Sequence, residues 1–292
     1  WMVNGQEQKK DKKIEIEQKK SESSNHHIKD SDIKEKLING DIDAVKPYLA
    51  GYYSRQDDLH SYARPKEAKV THAELDLTVD FQKRIIKGSV TYDVEVMNSD
   101  KIILDTRDLE ITQVLLNGAK NGVYKIGPAD KILGAPLEIV VDGGVTSIKI
   151  DYTTKPSSTA VQWLSKEQAN SEMPFLYTQG EAILTRSWIP IQDSPGIKMT
   201  YNAKVNTPDS MTAVMSAEKI SDKDGRALFK MNNPIPAYLI ALAVGDLQFS
   251  KISDNCGIYA LPEVLERAVS EFSDTPKMIE VAESIAGPYQ WG

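Results

Sequence analysis

The sequence holds one cysteine, Cys256, so an internal disulfide framework is excluded and a cysteine-built metal cluster with it. Positive charge is also short: 35 Lys and Arg stand against 42 Asp and Glu, a net charge of -7. The electrostatic footprint of a nucleic-acid binder is missing, and attraction to anionic lipid is not expected. No apolar run approaches the length of a membrane span, so no membrane insertion is expected, and residues 1–30 lack the apolar centre of a signal peptide. Histidine is scarce. His26, His27, His60 and His72 are the whole set, and none is followed by glutamate, so H-E-x-x-H cannot be written from this chain. The adjacent His26 and His27 lack further ligands nearby, and no metal site is expected.

What is present falls into four stretches. Residues 1–36 are dense in Lys, Glu, Gln and Ser with little to bury, the composition of a disordered tail, and 37–58 form a lead-in segment. The tail reads as a tether left by a removed export signal, hence exported or periplasmic, or as a ragged start of a cytoplasmic protein; the first reading is favoured. From Lys69 onward apolar and polar residues alternate. Leu75, Leu77, Val79 and Phe81 in one run, and Val90, Tyr92, Val94 and Val96 in the next, predict antiparallel neighbours with one buried face. LEIVVDGGVTSIKIDY predicts a hairpin turning at Asp142, Gly143 and Gly144. MTYNAKV, TAVMSA, RALFKM and YLIALAVGDLQF add strands, giving a large antiparallel β domain over 59–252.

Beyond Ile252 the pattern becomes helical over 253–292. PEVLERAVSEF has apolar residues at helical spacing. A second helix starts at Asp274 or Thr275 with Pro276 at its first position, presents Met278, Val281, Ala282 and Ile285 on one face, and stops at Gly287 and Pro288. Those faces need something to pack on. The sequence therefore reads as a fragment that breaks off at the start of a second, helical domain.

Within LYTQGEAILTRSWIPIQDSP, Gln179 and Glu181 stand two apart in a strand-like run that extends to Leu184. Period-two alternation puts Tyr177, Gln179, Glu181 and Ile183 on one side. A carboxylate in such a setting needs a cation or hydrogen-bond donors. The residues alone leave two readings open: a structural ion pair with Arg186 or a lysine, or a binding group. RSWIPIQDSP reads as structure, with Asp193 bonding backbone amides or Arg186 and Trp188 as an anchor, and Tyr177 reads as core in preference to a substrate contact.

QGEA at 179–182, RSWIPIQDSPGIK at 186–198, YLIALAVGDL at 238–247 and EFSDTPKMIEVAESIAGPYQWG at 271–292 together resemble the zinc aminopeptidases of the gluzincin type. DLHSYARP at 58–65 and LDTRDLEI at 104–111 bring the likeness closest to the branch containing leukotriene A hydrolase. The resemblance implies a mainly β, saddle-shaped domain followed by the truncated start of a thermolysin-like catalytic domain. It implies a zinc-dependent aminopeptidase as the full-length parent, acting on peptides with a free N-terminus. The zinc motif is not in this chain, so no catalytic residue, no metal ligand and no cofactor are expected in the fragment itself, which would need its own missing catalytic domain as partner. By the same resemblance Glu181 receives the substrate α-amine and Gln179 lines the pocket. The leukotriene hydrolase branch has Gln-x-Gln here, so plain peptidase activity is favoured over epoxide opening. The rival reading is a non-catalytic β module that binds a peptide or a glycan.

Overall fold

The computed structural model describes residues 58–208 and 210–289. The polar tail, nearly all of the lead-in segment, and His26 and His27 lie outside the described residues.

The largest sheet has the order β13 (Glu218–Lys223), β14 (Arg226–Pro236), β11 (Lys198–Asn206), β1 (Ala68–Asp80), β2 (Ile85–Val96), β8 (Ser147–Thr153), β4 (Glu110–Leu116), β5 (Lys120–Asn121). Its centre is the expected β1–β2 pair. Leu75 faces Val90, Leu77 faces Gly88 and Val79 faces Ile86, and these apolar side chains are buried on one side of the sheet. The other side is wet. There His72 Nδ1 lies 2.6 Å from Thr200 Oγ1, and Lys204 pairs with Asp76, so that β1 and β11 are joined by polar side chains where water reaches them. β1 and β11 run parallel, the one parallel pair among the described strands and a departure from the purely antiparallel expectation. More than a hundred residues separate the two strands in the chain, which leaves β11 free to enter in either direction.

Three strands, β3 (Lys101–Thr106), β7 (Ala135–Val140) and β6 (Tyr124–Ile126), make a second sheet. Here the expected hairpin over 137–152 fails. β7 pairs with β3 and β6, whereas β8 pairs with β2 and β4. The Asp142–Gly144 stretch is a corner between sheets. It is closed by Val145 N–H on Asp142 O at 3.0 Å, and neither glycine adopts the positive φ that a tight hairpin of that kind would demand.

A third sheet of four strands, β12 (Thr212–Met215), β15 (Leu242–Gly245), β10 (Phe175–Thr178) and β9 (Val161–Leu164), carries the residues of interest. The run YLIALAVGDLQF is not one strand but a 3-10 turn at Ala237–Leu239, then β15, then β16 (Gln248–Lys251). The buried faces of all three sheets meet in one core, to which Leu77, Ile102, Leu137, Ile150, Leu176 and Val244 contribute.

β16 forms a ribbon with β17 (Gly257–Ala260), and the expected domain boundary near 252 falls in its turn. After α1 (Lys166–Ala169), the helices are α2 (Pro262–Glu271) and α3 (Thr275–Ala286), as the spacing predicts. Asp274 occupies the N-cap position of α3, yet its carboxylate turns to Lys277 Nζ at 3.1 Å and makes no cap bond. Gly287 ends the helix with φ 88°. Met278, Val281 and Ile285 stand exposed on α3. Among the described residues no helix is long and apolar enough to cross a membrane.

Candidate functional site

β10 lies between β9 and β15, with Tyr177 opposite Gln162 on one side and Ala243 on the other. The strand ends at Thr178, six residues before the expected limit at Leu184. One further bond, from Gln179 N–H to Ala160 O at 2.9 Å, continues the ladder with β9. The chain then turns: Leu184 N–H closes on Gly180 O at 2.8 Å, and Thr185–Ser187 form a 3-10 turn. The Glu181–Ala182 peptide is cis.

Alternation nevertheless survives through the end of the strand. Leu176, Thr178 and Gly180 are buried, while Tyr177, Gln179 and Glu181 are exposed. Gly180 is held so tightly that an added Cβ would lie 2.6 Å from Thr185 Oγ1 and 2.8 Å from Tyr238 O, distances that no real Cβ tolerates. Only glycine lets the corner sit there. Thr178 Oγ1 accepts the Leu242 N–H at 2.9 Å, and Thr185 Oγ1 donates to Ala237 O at 3.1 Å, so the corner is fastened on its buried side to the 237–242 segment.

On its open side, the Gln179 side chain folds back so that Oε1 accepts the Glu181 N–H at 3.0 Å. That leaves both N–H donors of the exposed Gln179 amide without a partner among the described residues. The Glu181 carboxylate has no hydrogen bond and no ion pair among the described residues. Its nearest cation in sequence is fully committed. Arg186, with no exposed surface, gives Nε to Asp193 Oδ2 at 3.1 Å, Nη1 to Leu133 O at 2.7 Å, and Nη2 to His60 O at 2.7 Å and Asp193 O at 3.0 Å. Asp105 Oδ1 lies 3.6 Å from the same guanidinium. Two carboxylates thus share one cation. Burial pushes the Asp193 carboxyl up to about 6, against the opposing pull of Arg186, and raises Asp105 as well.

The structural ion pair between Glu181 and Arg186 is therefore not formed, and RSWIPIQDSP is structural, with Trp188 buried. Tyr177 is a correction. It is 41% exposed, its ring centroid 6.1 Å from that of Phe175, because it points to the same open side as Gln179 and Glu181. The strand-like pattern also gave no hint of the supports around the corner, Ala160, Ser187 and the Ala237 carbonyl. Two of them act through backbone groups, which leave no trace in side-chain patterns.

A family model described as the Peptidase M1 N-terminal domain matches residues 69–239. The chain belongs to this family. Leukotriene A-4 hydrolase of Xenopus laevis is 40% identical over 250 residues, 80% of this chain and 41% of that protein. Leucine aminopeptidase 2 of Yarrowia lipolytica is 39% identical over 229 residues, 76% of this chain and 35% of that protein. The solved structure of yeast LTA4 hydrolase in complex with bestatin is similar with a TM-score of 0.78 at 33% identity, covering 82% of this chain and 38% of that one. An M1 zinc metallopeptidase of Deinococcus radiodurans bound to Tyr-Ser-Ala matches with a TM-score of 0.57 at 20% identity, over 77% of this chain and 55% of that one, which speaks for the fold alone. The gluzincin resemblance and the mainly β class agree with these findings. The M1 chain spans 41% and 35% of the two curated relatives.

The described residues do not fit a zinc ion. Among the described residues no three His, Cys, Asp or Glu side chains converge on one point, and a zinc site needs three or four such ligands. No chemical step is assigned to a metal in this chain.

Proposed function

We propose that this M1 domain is the N-terminal part of a zinc-dependent aminopeptidase and that Glu181 is its anchor for the substrate α-amine. The observation that carries the reading is the Glu181 carboxylate itself: exposed at the end of β10, without a cation of its own, and held by a backbone that Gln179 and Gly180 fix in place. An ammonium group meeting it makes charge-assisted hydrogen bonds and sets where the first peptide bond lies. The Gln179 amide donors suit the carbonyl of that same first residue. A peptide with a blocked N-terminus would leave the carboxylate unpaired on binding, which is a basis for exopeptidase selectivity.

In this reading zinc, held by a catalytic domain, would supply Lewis-acid chemistry at the scissile bond, and the part of this chain is to hold the amine end of the peptide at Glu181. The exposed Met278, Val281 and Ile285 of α3 are available to pack on that domain. By the resemblance, the leukotriene hydrolase branch carries glutamine at this place, and the carboxylate at 181 favours peptides over epoxides as substrates.

Two measurements test this. The 292-residue chain given zinc and an aminoacyl chromogenic substrate should show no turnover; turnover that depends on Glu181 would overturn the assignment of chemistry elsewhere. In a protein that carries the zinc motif downstream, Glu181→Gln should lower kcat/KM by roughly two to three orders of magnitude, from about 3–5 kcal/mol for one partner of a desolvated ion pair. A change under about threefold would remove Glu181 from the substrate.

A further inference from the structure

The corner bearing Gln179 and Glu181 leaves β10 at Thr178 and re-enters the core at Ser187, and one buried hydroxyl touches both ends of it. Ser187 Oγ accepts the Ala160 N–H at 3.0 Å and donates to Leu184 O at 2.7 Å. Ala160 in turn holds Gln179, whose N–H bonds the Ala160 carbonyl at 2.9 Å. Leu184 closes the corner from the other side through its 2.8 Å bond to Gly180 O. Ser158 Oγ donates to Ser187 O at 2.8 Å and lies 3.1 Å from Ser187 Oγ. A serine hydroxyl offers one proton and two lone pairs, and here its proton and at least one lone pair are in use.

Ser187 and Ala160 are 1% and 0% exposed. Water cannot replace the hydroxyl without displacing its neighbours, so removing it leaves the Ala160 N–H a buried donor with no acceptor. The segment that relaxes to satisfy that donor is the one that carries the Ala160 carbonyl, and Gln179 moves with it. Arg186, one residue earlier, is tied in another direction, to Asp193 and to the carbonyls of Leu133 and His60. Two adjacent residues thus pin the corner to different parts of the core.

We propose that Ser187 is a positioning residue, a hydroxyl clamp that holds the two ends of the 179–184 corner and so fixes where the Gln179 amide and the Glu181 carboxylate stand. Its consequence for substrate rests on the amine-anchor reading; the clamp does not.

Residue-resolved amide hydrogen exchange on the 292-residue chain tests the clamp. In Ser187→Ala the Gln179 and Leu184 amides should exchange at least tenfold faster, about 1.4 kcal/mol and the scale of one buried hydrogen bond, while Leu77 and Val90 in the β1–β2 pair stay as slow as before. Ser158→Ala, which spares both clamping bonds, should leave Gln179 and Leu184 within threefold. Exchange that is unchanged, or faster by the same factor everywhere, overturns the proposal. Should the alanine variant not fold, Ser187→Thr and Ser187→Val are compared instead: equal volumes with and without the hydroxyl, so equal exchange at Gln179 overturns it and slow exchange in the threonine variant alone supports it. A titration of the unsubstituted chain with alanyl-alanine amide, free or acetylated at its amine, separates the two claims. A released corner in Ser187→Ala together with no amine-dependent shift at Glu181 keeps the clamp and removes the anchor.

Discussion

Replacing Asp193 by asparagine should change how stability depends on pH far more than it changes stability at pH 7. The folded Asp193 carboxyl titrates at about 6 against an ordinary 3.8, because burial disfavours its charge more strongly than Arg186 favours it. The folded state therefore holds that proton more tightly than the unfolded state. The stabilisation is fully present below the unfolded value and is lost as pH rises through about 6. Its size is on the order of 3 kcal/mol at 1.36 kcal/mol per pKa unit. An asparagine oxygen can still accept the two Arg186 bonds that Asp193 Oδ2 accepts at 3.1 Å, and Asp105 still balances the guanidinium. The assay is urea unfolding at pH 4.5, 5.5 and 7, followed by the fluorescence of the tryptophans, Trp188 being fully buried. Other carboxyls, among them Glu138 and Asp130, are held below their ordinary range and respond in the opposite sense, so the informative quantity is the difference between the two proteins. That difference should grow in favour of the unsubstituted chain as pH falls from 7 to 4.5. Parallel pH curves would refute the argument that burial outweighs Arg186 at the Asp193 carboxyl.

Arg186→Met should be the severe change at the same knot, costing about 3–5 kcal/mol at pH 7 by leaving Asp105 and Asp193 buried without their cation; a urea midpoint near that of the parent would show that the carboxylates are already protonated. Gly180→Ala should destabilise by about 1–3 kcal/mol through overpacking against Thr185 and the Tyr238 carbonyl, measured by the same unfolding curves, and should quicken amide exchange at Leu184. Leu77→Ala, at a site with no exposed surface opposite Gly88, should cost about 2–5 kcal/mol without altering the 179–184 corner.

How far the sequence reveals this fold differs from element to element. β1 and β2 were readable because each buries one face, and alternation is the direct image of that. α2 and α3 were readable from spacing and from Pro276 and Gly287. The parallel entry of β11, and the separation of β7 from β8 into different sheets, depend on which distant strand wins a partner, and no local pattern records that choice. The stretch from Gln179 to Leu184 reads as strand for a related reason. Its apolar residues Ile183 and Leu184 are half-buried in a compact turn, and short apolar runs do not distinguish the two. At the candidate site, Gln179 and Glu181 could be singled out and their shared outward direction foreseen, although the strand itself stops earlier. The availability of Glu181 could not be foreseen, since it depends on Arg186 being consumed by Asp193, Leu133 and His60.

Asp105 does more than balance a charge. It accepts the Ser61 hydroxyl at 2.6 Å and the Tyr62 N–H at 2.7 Å, while the His60 carbonyl takes one arm of Arg186. Among the described residues, the segment ahead of β1 is therefore set by a few bonds to side chains that lie 43 to 126 residues away in the chain, not by a strand. Trimming the polypeptide past Asp58 would cut stitches that hold the innermost arginine, so an expression boundary drawn at the first strand, Ala68, would yield a visibly weaker protein than one drawn ten residues earlier.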